Sequence, residues 1–218
     1  MLKTKKYRIY ILFFLILFSQ LLRFPNQWVF GSMGSDAHGI HLLTVFSIEK
    51  GHIPWGYSPL GYFGMIPYSE PTAPHIISAS IAMATGLHLE VAILPFSLFL
   101  GLFGTLMAFI VGYTVFRNFE LAFFVALIFT VNHYYWYHTF WKLSERGTFI
   151  AFMPFLYYSL LRFLNFTKSP VRNILFFLFS LFILYTSHRM NAFIMPTIIF
   201  PIILVIIFNY LNSNNSVN

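Results

Sequence analysis

The sequence predicts an all-α protein, a polytopic transmembrane bundle of about six spans, and three observations carry that reading. Of its 218 residues, 58% are hydrophobic and 21% aromatic while 9% are charged, and the mean hydropathy is +0.74, so the polar surface of a water-soluble globule is missing. The apolar residues, 29 Phe among them, fall in long runs such as Ile9 to Phe18 and Leu98 to Phe116 that want lipid on every side rather than one buried face. Basic residues then punctuate those runs, and their distribution sets an orientation.

The first span is Tyr7 to Phe24, preceded by Lys3, Lys5, Lys6 and Arg8. It resembles a signal peptide at its start, but it runs on through Leu22 and Phe24 without a small-x-small cleavage site, so it reads as a retained span. Five more follow: Glu90 to Phe116, Phe119 to Tyr135, Gly147 to Phe163, Asn173 to Tyr185 and Met190 to Tyr210. Residues 1–24, 25–89 and 90–211 are thus a first span, a long extracytoplasmic loop and five further spans, with 212–218 a polar, low-complexity tail expected to be disordered. Within the loop, Ser35 or Asp36 is a good N-cap for an amphipathic interfacial helix ending near Lys50 and stopped by Gly51. On it Ile40, Leu43, Val45, Phe46 and Ile48 supply the apolar surface, while Asp36, His41, Thr44 and Lys50 form the polar side. His75 to Gly86 is too short for the roughly 20 residues a crossing needs, and fits an interfacial or re-entrant helix.

Charge arbitrates that last point. If His75 to Gly86 stays on one side, the basic residues divide eight inside to five outside, and the compact set Arg162, Lys168, Arg172 faces the cytoplasm. A crossing gives seven to six and turns that set outward, so the positive-inside rule favours the first arrangement, with both termini cytoplasmic and the protein in the cell membrane. The same arrangement puts all eight His, and every carboxylate except Glu120, at the outer side. Ionisable groups are costly at the bilayer centre, so titratable residues gathered on one rim suit a site built at the membrane surface. Loops that merely hold polar residues are the plain alternative, although they do not explain why the cytoplasmic loops lack His.

Several function classes are excluded or unsupported. The chain has no Cys, which removes disulfides, thiol catalysis and Cys-ligated zinc. A net charge of +7 beside apolar spans reads as topology and headgroup contact; no soluble basic module points to nucleic acid. Gly-rich phosphate loop, His-Glu-x-x-His, nucleophile elbow and internal repeat are all absent from the sequence.

Candidate chemistry lies in three outer patches. Asp36-Ala37-His38 sets a carboxylate and an imidazole at a helix start, where both reach one divalent metal or phosphate ligand if Asp36 is the cap; a plain cap beside an interfacial His is the competing reading. Glu70 and His75 are placed to complete that site, the metal being Mg or Mn if carboxylates and substrate phosphates dominate and Zn if His does. The patch Asn132 to Gly147 is aromatic and ends in Glu145-Arg146, an acid beside a base suited to a phosphate, although an aromatic belt and a local ion pair account for much of it. Tyr185 to Asn191 carries His188 and Arg189, for which headgroup snorkelling is the alternative.

Taken together, Ser35-Asp36-Ala37-His38, Gly51-His52-Ile53-Pro54, Tyr68-Ser69-Glu70-Pro71-Thr72-Ala73-Pro74-His75, Ser144-Glu145-Arg146-Gly147 ahead of Pro154, and Thr186-Ser187-His188 form a recognisable series. It resembles the N-terminal half of GT-C superfamily polytopic membrane glycosyltransferases, the group of protein O-mannosyltransferases and oligosaccharyltransferase catalytic subunits, and especially their prokaryotic relatives. The resemblance implies transfer of a sugar from a polyprenyl-phosphate donor to an extracytoplasmic acceptor, with Asp36 as base or metal ligand, His38 assisting, and Glu70, His75, Glu145, Arg146, His188 and Arg189 around the substrate. His38 stands where the group has the second acid of an Asp-x-Asp-type motif, and the group has more spans than these six, which implies a truncated or split member, a minimal module needing a membrane partner, or a non-catalytic relative. A non-enzymatic membrane protein, a transport component or assembly partner, is the rival class. Transport is the weaker of these, because ionisable residues are scarce between Glu90 and Glu120.

Overall fold

The computed structural model describes the backbone of residues 2–24, 35–52, 56–57, 66–67, 73–140, 144–164, 170–188 and 200, with side chains described for 6–24, 41–52, 73–140, 144–164, 171–188 and 200. The described chain is helical apart from a two-residue antiparallel ladder that pairs Gly56 with Pro67 and Tyr57 with Ile66. In order the helices are α1 (Leu2–Leu21), α2 (Ser35–Lys50), α3 (Ala73–Thr85), α4 (Leu89–Phe116), α5 (Phe119–Val131), α6 (His133–Thr139), α7 (Glu145–Leu164) and α8 (Pro170–Ser187). Of these, α4 and α7 are long and apolar enough to cross a membrane, and α5 and Val171–Ser187 are shorter apolar helices. The expected span Met190 to Tyr210 lies outside the described residues, Phe200 apart.

α4 is the central post. α1 runs antiparallel to it, since Ser19 meets Gly101 and Thr105 while Leu15 packs with Ala108. α5 is antiparallel as well, with Thr130 bonded to Thr105 and Ala122 against Gly112. On the other flank α7 packs through Ala151 into the cluster of Ile93, Phe96, Leu100 and Tyr135, and α8 returns along α7, pairing Ser159 with Ser180 and Phe163 with Phe177. Buried hydroxyls therefore tie every one of these helix pairs except α4 and α7. Where the surround offers no hydrogen bonds, such side chains hold helices together because their alternatives are poor.

The outside of this bundle is apolar. Tyr10, Phe13, Phe14, Phe124, Ile128, Leu175, Phe179 and Phe182 are all more than half exposed, a perimeter that matches lipid better than water. Pro95 inside α4 and Pro154 inside α7 remove a helix hydrogen bond each, a loss that packed membrane helices tolerate.

Two expectations change. The span expected from Phe119 to Tyr135 is broken at Asn132, whose side chain accepts from the backbone N–H of Tyr134 and Tyr135 at 3.0 and 3.2 Å and starts α6 as a separate short helix. An N-cap this good outcompetes helix continuation. Thr44, expected on the polar side of the loop helix, is fully buried, and with Leu43 and Ser47 it forms the face of α2 that packs inward. The reason is α3, which covers α2 and brings His75 to Thr44.

Candidate functional site

Because α1 and α5 end, and α4 and α7 begin, at the same end of the bundle, that end also receives α2, α3 and α6 and the C-terminus of α8. His41, His75, Glu90, His138, Glu145 and His188 all lie there, whereas Arg8, Arg117, Glu120 and Arg162 belong to the other end. The end of α1 and the start of α4 thus lie at the same end of the bundle.

The centre of this end is a buried pair. His75, in the first turn of α3, places Nε2 3.5 Å from Glu145 Oε1 in the first turn of α7, and the side chains are 2% and 8% exposed. On the other side of the ring, Nδ1 is 3.4 Å from Thr44 Oγ1. The imidazole thus lies between a hydroxyl and a carboxyl group, with Nε2 and Oε1 at ion-pair distance and not forming a hydrogen bond. Glu145 also gains from its place at a helix N-terminus, where the macrodipole favours negative charge.

The start of α7 is itself held. Ser144 accepts from the Gly147 N–H at 3.2 Å as N-cap, and its hydroxyl shares a 3.1 Å hydrogen bond with His138 Nδ1. Gly147 packs on the His138 carbonyl so closely that a Cβ would overlap it, so glycine is required for α6 and α7 to meet. Alongside, His41 on α2 contacts Glu90 on α4 at 2.8 Å in a half-exposed pair, and His188, 8% exposed, packs its ring 5.8 Å from Phe149 one turn below Glu145.

Against known proteins, the chain matches no family model, no curated protein and no solved structure.

Of the residues the sequence singled out, the structure joins His75 and Glu145 directly and sets His188 close by. Arg146 is exposed on α7, turned away from the buried Glu145. Asp36 and His38 lie in the first turn of α2, with side chains outside the described residues, and Glu70 and Arg189 lie wholly outside them. Among the described residues no group of three or more His, Asp or Glu is placed to hold a metal.

Sequence reasoning missed Arg23, which it only counted among the five basic residues on the outer side. It is fully buried: Nε donates to Thr139 Oγ1 at 2.9 Å, Nη1 donates to the Ser19 carbonyl at 2.8 Å and to Ser19 Oγ at 3.1 Å, and the guanidinium lies 4.4 Å from the centre of the Tyr135 ring. Tyr135 in turn donates to the Leu100 carbonyl at 2.7 Å, and Trp136 Nε1 donates to the Leu22 carbonyl at 2.6 Å, so α6 closes the end of α1. Ser19 four residues before Arg23 was the available signal, since i and i+4 share a helix face.

Proposed function

We propose that the chain is a multi-pass cell-membrane protein of six spans with both termini cytoplasmic, and that it transfers a sugar from a polyprenyl-phosphate donor to an extracytoplasmic acceptor in the manner of GT-C enzymes. The observation that supports this reading best is the His75–Glu145 pair. Two of the short motifs behind the GT-C resemblance, seventy positions apart, meet there at 3.5 Å, at the end that holds the described histidines. The exposed apolar perimeter and the hydroxyl-tied helix packing support the membrane part.

In the proposed reaction the acceptor oxygen attacks the anomeric carbon, the bond from that carbon to the phosphate oxygen breaks, and the proton passes to Asp36 while the polyprenyl phosphate leaves with its charge. Asp36 sits two turns along α2 from Thr44, about 12 Å by helix rise, so α2 links the proposed base to the buried pair. His75 and Glu145 then position α2 against α3 and α7. A divalent ion at Asp36 and His38 belongs to the proposal, and no step is assigned to it. A partner supplying further spans belongs to it too.

Membranes holding this chain, alone and with a candidate partner, would be given a polyprenyl-phosphate sugar. Asp36→Asn should abolish transfer while insertion is retained, because Asn caps a helix about as well as Asp; full activity in that variant would sink the assigned role. The depth of the His75–Glu145 pair favours a second reading, a structural tie in a non-enzymatic assembly partner. Under it, wild-type membranes transfer no sugar in any combination.

A further inference from the structure

At the end of the bundle opposite His75 and Glu145, α1 and α5 run side by side in the same direction and leave an open groove between them. Their inner seam is closed by Leu12 and Leu15 of α1 with Ala126 and Leu127 of α5. On the outer side the groove encloses about 470 Å³, lined by Tyr10, Ile11 and Phe14 of α1 and by Phe119, Phe123 and Phe124 of α5. Tyr7 and Phe14 mark its two ends on α1, two helical turns or about 10 Å apart. Among the lining residues Glu120 alone is charged, and it stands in the first turn of α5.

A cation stands beside that anion. Arg8 Nη2 lies 3.6 Å from Glu120 Oε1, and the Arg8 guanidinium is 5.2 Å from the centre of the Phe119 ring, so both charges sit over the first turn of the groove. A charge-assisted hydrogen bond is shorter, about 2.7–2.9 Å, and both side chains are more than half exposed, which leaves each able to bond a third group. An acid in a first turn favours the helix macrodipole, which accounts for Glu120 on α5 but not for an apolar groove opening beside it. Of the six carboxylates, Glu120 is also the one that the proposed topology puts on the cytoplasmic side, close to Lys3, Lys5, Lys6 and Arg8. An anionic lipid headgroup would meet those bases but be repelled by the carboxylate. A headgroup with a phosphate and an ammonium satisfies both.

We propose that the groove between α1 and α5 is a binding site for phosphatidylethanolamine of the cytoplasmic leaflet, with one acyl chain along Ile11, Phe14 and Phe123, the phosphate at Arg8 and the primary ammonium at Glu120. The apolar wall accepts the hydrocarbon of any lipid, so the Arg8 and Glu120 pair carries the selectivity: the ammonium donates to the carboxylate and the phosphate accepts from the guanidinium. Phosphatidylglycerol lacks the cation, and phosphatidylcholine has the cation without an N–H to donate. The site rests on the membrane placement proposed above and not on the transfer reaction.

Purified protein in detergent would be titrated with phosphatidylethanolamine, phosphatidylcholine and phosphatidylglycerol of identical acyl chains, following the thermal unfolding midpoint, which rises with any ligand that prefers the folded state. Phosphatidylethanolamine should raise it saturably, at about one tenth of the concentration the other two need, the factor that one charge-assisted hydrogen bond supplies. Glu120→Gln keeps the side-chain shape and removes the charge, and it should erase the preference with helix content unchanged. Ile11→Trp fills the groove and should weaken all three lipids. Equal half-saturation of the three lipids by the wild-type chain, an undiminished preference in Glu120→Gln, or unaltered binding in Ile11→Trp overturns the proposal. Phosphatidylcholine binding as well as phosphatidylethanolamine overturns it too, because aromatic rings would then be reading the cation. If the groove seats a second copy of the chain instead, the wild type is a dimer in lipid-free detergent that Ile11→Trp dissociates, and the lipid assignment falls. Alkaline washing of membranes tests the placement separately: a chain that washes off refutes the membrane reading, whereas one that stays and shows no lipid preference refutes only this site.

Discussion

At the scale of single residues, the buried contacts set clear expectations. His75 and Glu145 lie almost wholly out of water, so removing one partner strands the other: Glu145→Leu should destabilise the protein by about 3–5 kcal/mol, and the double variant His75→Leu, Glu145→Leu should recover much of that loss. Denaturation in mixed micelles measures the cycle, and additive losses would show that the two side chains are not coupled. Gly147→Ala should cost about 1–3 kcal/mol because the new Cβ meets the His138 carbonyl, a backbone atom that cannot swing aside. The sequence made His75, Glu145 and His188 visible as outer polar residues, since charge placement alone sorted them to one side. Their pairing was not legible, because it depends on α3 docking beside α7, and no local pattern encodes a contact seventy positions long. Arg23 was missed for a related reason: an arginine at the end of an apolar run looks the same whether its head reaches the headgroups or folds back onto Tyr135.

At the scale of elements, apolar run length located α1, α4, α7 and α8 to within a few residues, and Gly51 ended α2 as expected, with a φ of +69° that glycine adopts freely. Run length failed where a cap outweighed it. From Phe119 to Tyr135 the composition is continuous, yet Asn132 offers its side-chain oxygen to two backbone N–H groups and the helix restarts. Asn132→Ala should therefore cost about 1 kcal/mol and loosen the junction of α5 and α6, which hydrogen exchange at Tyr134 and Tyr135 would detect as faster exchange. Arg117 presents the opposite case. It closes α4 at a φ of +54°, a left-handed conformation that costs a side-chain-bearing residue roughly 1–2 kcal/mol, so Arg117→Gly should stabilise the protein or leave it unchanged; a clear loss would mean that the guanidinium makes a contact worth more than that strain.

At the scale of the whole molecule, the helix packing sorts the charged residues without reference to the charge pattern. The antiparallel order of α1, α4, α5, α7 and α8 follows from which side chains touch, without reference to charge, and it leaves the described histidines at one end and Arg8, Arg117 and Arg162 at the other. Under the proposed topology the positive-inside rule would make the second end cytoplasmic. That orientation is testable because the chain has no Cys, so every introduced thiol reports one position. Ser80 and His133 are exposed at the histidine end, and Glu120 and Arg172 are exposed at the other. In intact cells, an impermeant maleimide should label Ser80→Cys and His133→Cys at once, and Glu120→Cys and Arg172→Cys only after permeabilisation. Ser80 is the most informative of the four, because α3 is the element whose crossing would invert everything after it. Labelling at residue 80 together with protection at 133 would mean that α3 crosses the membrane, and it would contradict the packing that brings His75 of α3 to Glu145 of α7.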